Sequence, residues 1–131
     1  MLAAMMPLAT QRMDHVSFAT LDLASSLAFY RDMLGFRIID RPPLDFDGAW
    51  LEKDGFTIHL IVPKEGVERA TPASKANPYL SHVAFRVSDV ETTKRALEER
   101  GMHFVEQAGG VHQIWTLDPG GNMIEFIRLP T

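Results

Sequence analysis

The chain has 131 residues, of which 46% are hydrophobic and 23% are charged, and its formal net charge at pH 7 is −4. This length suits one domain, or two half-size units that share one core. The basic residues are scattered and no apolar run approaches a membrane-spanning length, so we expect neither nucleic-acid nor membrane partners. The absence of cysteine excludes disulfides and thiolate metal sites and agrees with a cytoplasmic location.

The predicted elements fall into two similar modules. Residues 1–12 have no basic start followed by a long apolar stretch, so we expect a frayed tail rather than a signal peptide. A first module is predicted over residues 13–62 and a second over residues 80–129. The segment between them, residues 63–79, is polar and contains three prolines, which is typical of a linker.

Each module has the pattern of one strand, one helix and three further strands. In the first module, the alternating strand His15–Phe18 precedes a helix with an apolar stripe of Leu23, Leu27, Tyr30 and Leu34. The later strands are predicted at 36–40, 49–53 and 56–62 in the first module, and at 103–106, 113–117 and 123–128 in the second. The second helix is predicted to begin at Ser88, because Glu91 completes a capping-box pattern.

A repeat underlies this organisation. Residues 15–18, His-Val-Ser-Phe, recur at residues 82–85 as His-Val-Ala-Phe, and Asp22 matches Asp89 at the same offset of 67. Residues 55–61 match residues 121–127 at an offset of 66. The sequence therefore predicts an α+β fold made of two βαβββ modules.

Strand alternation assigns four polar residues to one kind of face. His15 and His82 lie opposite the apolar, helix-facing residues of the first strand of each module. In the last strand of each module, His59 and Glu125 lie opposite the apolar pairs that flank them. If the two sheets face one another, these four side chains converge.

A single histidine in a strand is more often a hydrogen-bonded structural residue than a metal ligand. Here, however, all four duplicated positions carry imidazole or carboxylate groups, which are ligands of divalent metals. We therefore predict one metal site formed by His15, His59, His82 and Glu125. His103 and His112 fall outside the repeated positions and are expected at the surface or at a pocket rim.

These motifs resemble those of the vicinal oxygen chelate superfamily, which includes glyoxalase I, bleomycin-resistance proteins, methylmalonyl-CoA epimerase and extradiol dioxygenases. The resemblance covers residues 13–129. Its most specific segments are residues 15–18 and 26–36, the segment 82–85, and the run 117–125 that contains Asp-Pro-Gly-Gly-Asn.

The resemblance implies an incompletely closed barrel of paired modules around one divalent metal ion: zinc, nickel, iron, cobalt or manganese. In many members of this length, a second copy of the chain completes the barrel, so a homodimer is expected. The sequence leaves open whether the barrel closes within one chain instead. His15, His82 and Glu125 match the usual ligands of the family, whereas His59 stands where glyoxalase I has a glutamate and the epimerase a glutamine.

The resemblance also implies chemistry on a small substrate with two adjacent oxygens. The cation would stabilise an enediolate as a Lewis acid, and a base would remove the proton beside the carbonyl. Glu125 is the candidate base if it loosens from the metal, with His59 as the alternative. Candidates to line the substrate pocket, against the alternative of ordinary sheet packing, are Ser17, Trp50, Thr57 and Trp115.

Several reactions stay open at this point. The expected function is that of a glyoxalase-like lyase or isomerase. Residues 18–20, Phe-Ala-Thr, lack the arginine with which glyoxalase I proteins hold glutathione. A fosfomycin-type thiol transferase, an extradiol dioxygenase and a bleomycin-resistance-type binding protein are the alternatives. A fourth ligand at His59 disfavours the dioxygenase, and the filled ligand positions disfavour the binding protein, because such binders typically lack them.

Overall fold

The computed structural model describes residues 4–130, so the first three residues of the predicted tail lie outside the described part of the chain. The first module contains β1 (Val16–Ala19), α1 (Leu23–Leu27) continued by a π-helical segment (Ala28–Met33), β2 (Arg37–Ile39), β3 (Gly48–Lys53) and β4 (Phe56–Ile61). The second contains β5 (Val83–Arg86), α2 (Val90–Glu99), β6 (Phe104–Gln107), β7 (His112–Leu117) and β8 (Met123–Arg128). No helix among residues 4–130 is long and apolar enough to cross a membrane.

The strands form two four-stranded sheets with the same topology. Their orders are β1-β4-β3-β2 and β5-β8-β7-β6, and in each sheet the first strand of the module runs parallel to the last. The other neighbours are antiparallel. The two sheets do not close into a barrel within one chain, and the predicted α+β architecture of paired βαβββ units is confirmed.

Both helices begin at the aspartate that the repeat aligns. The Asp22 carboxylate accepts a hydrogen bond from the Ser25 amide, and the Asp89 carboxylate accepts from the amides of Glu91 and Thr92. These bonds satisfy amides that have no partner within the helix. The prediction that α2 begins at Ser88 was wrong by one residue, because Asp89 provides the stronger acceptor.

The first helix widens after one turn. The backbone amide of Leu34 bonds to the Phe29 carbonyl five residues earlier, which is the π-helical pattern. Phe29 lies in this segment and is 2% exposed in the core, although the predicted stripe did not include it. Tyr30 is fully buried beside it, with an edge-to-face ring contact at 4.8 Å.

The two modules share one hydrophobic core and a polar junction. The Tyr30 hydroxyl donates to Asp118 Oδ2 at 2.5 Å, and Asn122 Nδ2 donates to the Ala19 carbonyl at 3.0 Å. A Cβ on Gly120 would lie 2.4 Å from the same Ala19 oxygen, so glycine permits this close approach. The Asp-Pro-Gly-Gly-Asn turn of the second module thereby packs against the end of β1.

The segment between β4 and β5 contains no helix or strand and lies against the second module. The Asn77 amide is 3.5 Å from Met123 Sδ, and a Cβ on Gly121 would lie 2.5 Å from Pro72 Cβ. Gly121 has a positive φ of 86°, which also favours glycine. This segment therefore helps to cover the face of β8 that carries Glu125.

Candidate metal centre

The first module presents two stacked histidines. His15 immediately precedes β1, and His59 lies in β4, directly beside β1 in the sheet. The two imidazole rings have centroids 3.7 Å apart and an interplanar angle of 16°. The first module therefore brings together two of the predicted ligands.

Trp50 extends this stack on the other side of His59. Trp50 is the cross-strand partner of His59, and their rings stack at 4.0 Å with an interplanar angle of 1°. Ser17 is the parallel partner of His59 on its other side and is exposed. Thr57 occupies the position before Ile58 in β4, on the same face as His59. Three of the four predicted pocket residues thus surround His59.

The second module presents His82 and Glu125. His82 Nε2 lies 3.0 Å from Glu125 Oε1, and Gln113 Nε2 lies 3.4 Å from the other carboxylate oxygen. Glu125 is only 4% exposed, whereas the His82 side chain is 25% exposed. The second module thus supplies a buried carboxylate with an adjacent imidazole.

Both first-strand histidines are held in the same orientation. His15 Nδ1 lies 2.7 Å from Asp14 Oδ2, and His82 Nδ1 lies 2.7 Å from the Leu80 carbonyl oxygen. Each partner accepts only, so Nδ1 carries the proton and, in the neutral ring, Nε2 keeps its lone pair. This is the arrangement in which an acceptor orients a metal-binding histidine.

The donor spacing in the second module fits one metal ion. With metal–ligand bonds of about 2.1 Å, neighbouring ligand atoms lie about 3.0–3.4 Å apart, according to the coordination geometry. The 3.0 Å between His82 Nε2 and Glu125 Oε1 falls in this range. A neutral His82 with its proton on Nδ1 would direct a lone pair at the carboxylate, so a cation or a shared proton is needed there.

The pKa of His59 lies below its ordinary value. Burial is the main cause, and the electrostatic influence of His15 and Arg41 acts in the same direction, while Asp14 opposes it. A lowered pKa favours the neutral imidazole at pH 7, which is the form that binds metals and accepts protons.

Within one chain, the four predicted ligands occur as two separate pairs. Among residues 4–130, no group of three or more histidine, aspartate or glutamate side chains is close enough to hold one metal ion. The convergence expected for a barrel closed within one chain is therefore not found in the described residues. Each module instead carries half of the predicted donor set.

Trp115 has a place beside Glu125. It is the cross-strand partner of Glu125 in β7, is 4% exposed, and its Nε1 has no hydrogen-bond partner among the described residues. His112 lies at the start of β7 and bonds to Glu106, and His103 is exposed beside β6. Neither of these histidines joins a ligand pair, as expected from their positions outside the repeat.

Two residues that contact the predicted ligands were not identified from the sequence: Asp14 and Gln113. Asp14, which orients His15, directly precedes it, and Gln113 lies two residues before Trp115 on the same face of β7. Alternation within β7 pointed to Gln113, but its contact with Glu125 depends on the pairing of β7 with β8.

Two βαβββ modules, each with one metal-competent residue directly before its first strand and one on its last strand, define the class of protein. The chain belongs to the Glyoxalase/Bleomycin resistance protein/Dioxygenase superfamily, whose sequence profile matches residues 12–126. It is 35% identical over 126 residues to "Glyoxylase I 4" of Arabidopsis thaliana, covering 92% of this chain and 72% of the relative.

Solved structures share the fold. A Bacillus anthracis protein described as a glyoxalase family member superposes with a TM-score of 0.73 at 26% identity, covering 95% of this chain and all of the other. A second structure is a mutant of the fosfomycin resistance protein FosX from Listeria monocytogenes, complexed with Mn(II) and 1S,2S-dihydroxypropylphosphonic acid. It superposes with a TM-score of 0.73 at 16% identity, covering 92% of this chain and 94% of the other. Lactoylglutathione lyase from Agrobacterium tumefaciens superposes with a TM-score of 0.64 at 20% identity, covering 92% of this chain and 96% of the other.

Proposed function

We propose that the protein is a metal-dependent lyase or isomerase of the glyoxalase type, acting on a small substrate that binds the metal through vicinal oxygens. The supporting observation is the pair of donor clusters, in which the Asp14 carboxylate and the Leu80 carbonyl accept from Nδ1 of His15 and His82 and leave Nε2 as the nitrogen that can bind a metal. The similarity to a plant protein named for glyoxalase I agrees with this chemistry.

In this proposal, a homodimer completes the metal centre. His15 and His59 of one copy would meet His82 and Glu125 of a second copy, and the symmetry of a dimer would give two such sites. The separation of the donors into pairs within one chain supports this arrangement. Three imidazoles and one carboxylate form a donor set suited to zinc, nickel, iron, cobalt or manganese.

The bound cation would act as a Lewis acid on the substrate oxygens. The residues of the chain supply the remaining functions. Glu125 is the proposed base and would take the proton when its carboxylate is released from the metal; its burial strengthens its electrostatic interactions with nearby groups. His59 is the alternative base, because its lowered pKa leaves a neutral imidazole that accepts a proton at neutral pH.

The proposed pocket walls orient the substrate around these groups. Trp50 holds the His59 ring by stacking, and Ser17 offers a hydroxyl in the same row of the sheet. Thr57 adds a second hydroxyl on the same face, and Trp115 presents an unpartnered Nε1–H beside Glu125 among the described residues. Such donors select substrates that carry acceptor oxygens.

Metal analysis of protein purified without an affinity tag or added metal tests this proposal. We expect close to one transition-metal ion per chain and a higher Tm when metal is added to the stripped protein. His82→Ala and Glu125→Ala should lose the metal, whereas the matched control His103→Ala should retain it. Less than about half an equivalent of metal, with no thermal stabilisation, would contradict the proposal and favour a metal-free binding protein.

The reaction is then identified with three substrate panels. Hemithioacetals test the glyoxalase-type isomerisation, fosfomycin with thiols tests a transferase, and catechols with oxygen test a dioxygenase. Turnover of hemithioacetals that is lost in Glu125→Gln supports the proposal. Turnover confined to either of the other panels would replace it by that reaction.

A further inference from the structure

Arg37 and Arg41 lie on the same face of the first sheet as His59, and Arg37 is paired there with Glu52. Ile39 of β2 pairs with Trp50, so continuing the register places Arg41 opposite Gly48. Gly48 in turn pairs with Ile61 of β4, whose parallel partner is Ala19. These cross-strand partners form one row of residues across the sheet, and Trp50 and His59 belong to a second row. By alternation both rows are on the same face, and they are two residues, about 7 Å, apart along the strands.

The guanidinium extends over Gly48. A Cβ on Gly48 would lie 3.4 Å from Arg41 Nη2, and it would also lie 2.2 Å from the Leu60 carbonyl oxygen. The absence of a side chain at Gly48 therefore leaves the space that the guanidinium occupies. Ala19, in the same row, is also small.

Arg41 is fixed in place but not neutralised. Nη2 donates to the Phe46 carbonyl at 2.6 Å, and the guanidinium carbon lies 5.1 Å from the centre of the Phe46 ring. Its Nε is buried and has no hydrogen-bond partner within residues 4–130, and no carboxylate of that range lies within 4.0 Å of the guanidinium. By contrast, Arg31 and Arg37 each pair with a carboxylate at 2.9 Å.

A held, half-buried guanidinium without a carboxylate partner among residues 4–130 is suited to bind an anion. Its planar set of donors matches the two oxygens of a carboxylate or the oxygens of a phosphonate. Phe46 fixes one end of the group, which lowers the conformational cost of binding. Arg41 also places a cation in the row that contains Ala19, where the segment Phe18–Thr20 itself carries none.

We propose that Arg41 binds an anionic group of the substrate whose vicinal oxygens occupy the metal centre. The inference rests on the proposed function and narrows it to small acids with a carboxylate or phosphonate group. The displacement of about 7 Å along the strands between the Arg41 and His59 rows is compatible with a spacer of a few carbon atoms.

Anion binding to metal-free protein tests the role of Arg41 without any catalytic activity. Protein treated with a chelator is titrated with methylphosphonate or acetate at constant ionic strength, while the Arg41 Nε–Hε NMR signal and tryptophan fluorescence are followed. We expect saturable binding that weakens at least about tenfold in Arg41→Gln and less in Arg41→Lys, which retains the charge but loses the planar fork. The probe that binds more tightly identifies the preferred anionic group.

Arg31→Gln is the matched control, because it removes the same charge from an exposed guanidinium already paired with Asp32 on the helical side of the sheet. It should bind the anions as the wild type does. Absence of saturable binding to the wild type, or equal binding by Arg41→Gln, overturns the proposal. Equal weakening in both arginine variants would also overturn it, by showing an effect of net charge alone.

A second measurement uses the substrate found in the panels described above. Arg41→Gln should raise KM at least about tenfold for an acidic substrate and change kcat less than about twofold, while an uncharged analogue shows no difference. Equal losses for both substrates would show that Arg41 only supports the loop. If anion binding depends on Arg41 but the protein binds no metal, the proposed metal centre is contradicted. If the protein binds metal but anion binding does not depend on Arg41, the proposal of an acidic substrate held by Arg41 is contradicted.

Discussion

Tyr30→Phe removes the one side-chain hydrogen bond that passes from the first helix to the Asp-Pro-Gly-Gly-Asn turn. Tyr30 is fully buried, and its hydroxyl lies 2.5 Å from Asp118 Oδ2. Asp118 also accepts bonds from the Gly120 amide and from the amide and side chain of Asn122. The substitution leaves these bonds in place and removes only the hydrogen bond between Tyr30 and Asp118.

The expected loss of stability follows from the charge and burial of the acceptor. A hydrogen bond to a charged group contributes about 1.5–3 kcal/mol, and the phenylalanine ring preserves the packing. We therefore expect Tyr30→Phe to lower the free energy of unfolding by about 2 kcal/mol. For a chain of this size, that corresponds to a Tm lower by about 6 °C.

The effect has a characteristic pH dependence. Burial, followed by the negative charge of Asp118, raises the pKa of Tyr30 well above its usual value of 10. Above pH 10 the unfolded chain loses a proton that the folded chain retains, so this contribution to stability is full below pH 10 and is lost as the pH rises. For one group, the free energy of unfolding changes by at most about 1.4 kcal/mol per pH unit. The gap between wild type and Tyr30→Phe should therefore narrow above pH 10.

Denaturant unfolding at matched protein concentrations, at pH 7 and at several values from pH 9 to 11, measures both effects. Tyr79→Phe is the matched control: Tyr79 is 97% exposed, and we expect a change within about 0.5 kcal/mol. A loss below about 0.5 kcal/mol in Tyr30→Phe, or a gap that stays constant through pH 11, would refute this account of the junction.

Three further substitutions give defined outcomes. Asp14→Asn should weaken metal binding about 10- to 100-fold, because His15 loses the carboxylate that orients it; unchanged affinity in a metal titration would exclude that role. Asp89→Ala should lower Tm by about 3 °C through loss of the α2 cap. Hydrogen bonds lower the pKa of Asp89, and the largest contribution comes from the Thr92 side chain. The stabilisation by the Asp89 cap is therefore present above pH 4 and should vanish on acidification below it. Gly120→Ala should cost about 2 kcal/mol in chemical unfolding, since its Cβ would meet the Ala19 oxygen, whereas Gly109→Ala, with open space around it, should not.

Periodicity in the sequence was enough to predict the faces of the strands. Phe18, Ile58 and Leu60 are buried in the core, while Ser17 is exposed and His59 half-buried on the other side. The predicted strands agree with the observed ones to within one or two residues. These features follow from local alternation, which every residue of a strand obeys.

Features that depend on tertiary packing were not predictable in the same way. Alternation placed Glu125 opposite its apolar neighbours, but its burial and its contacts with His82 and Gln113 depend on tertiary packing. The burial of Phe29 within the π-helical segment and in the shared core was not predicted from the helical stripe. Arg41 lies beyond the end of β2, so its proximity to His59 depends on sheet register.

Metal binding by mixed dimers tests the central claim most directly. A chain with His15→Ala and His59→Ala is co-expressed with a chain carrying His82→Ala and Glu125→Ala, and the heterodimer is isolated with two tags that contain no histidine. If each centre combines the first module of one copy with the second module of the other, the heterodimer has one intact centre. It should bind about one metal ion per dimer, whereas each double variant alone binds none. A heterodimer that binds no metal would contradict a centre shared between two copies.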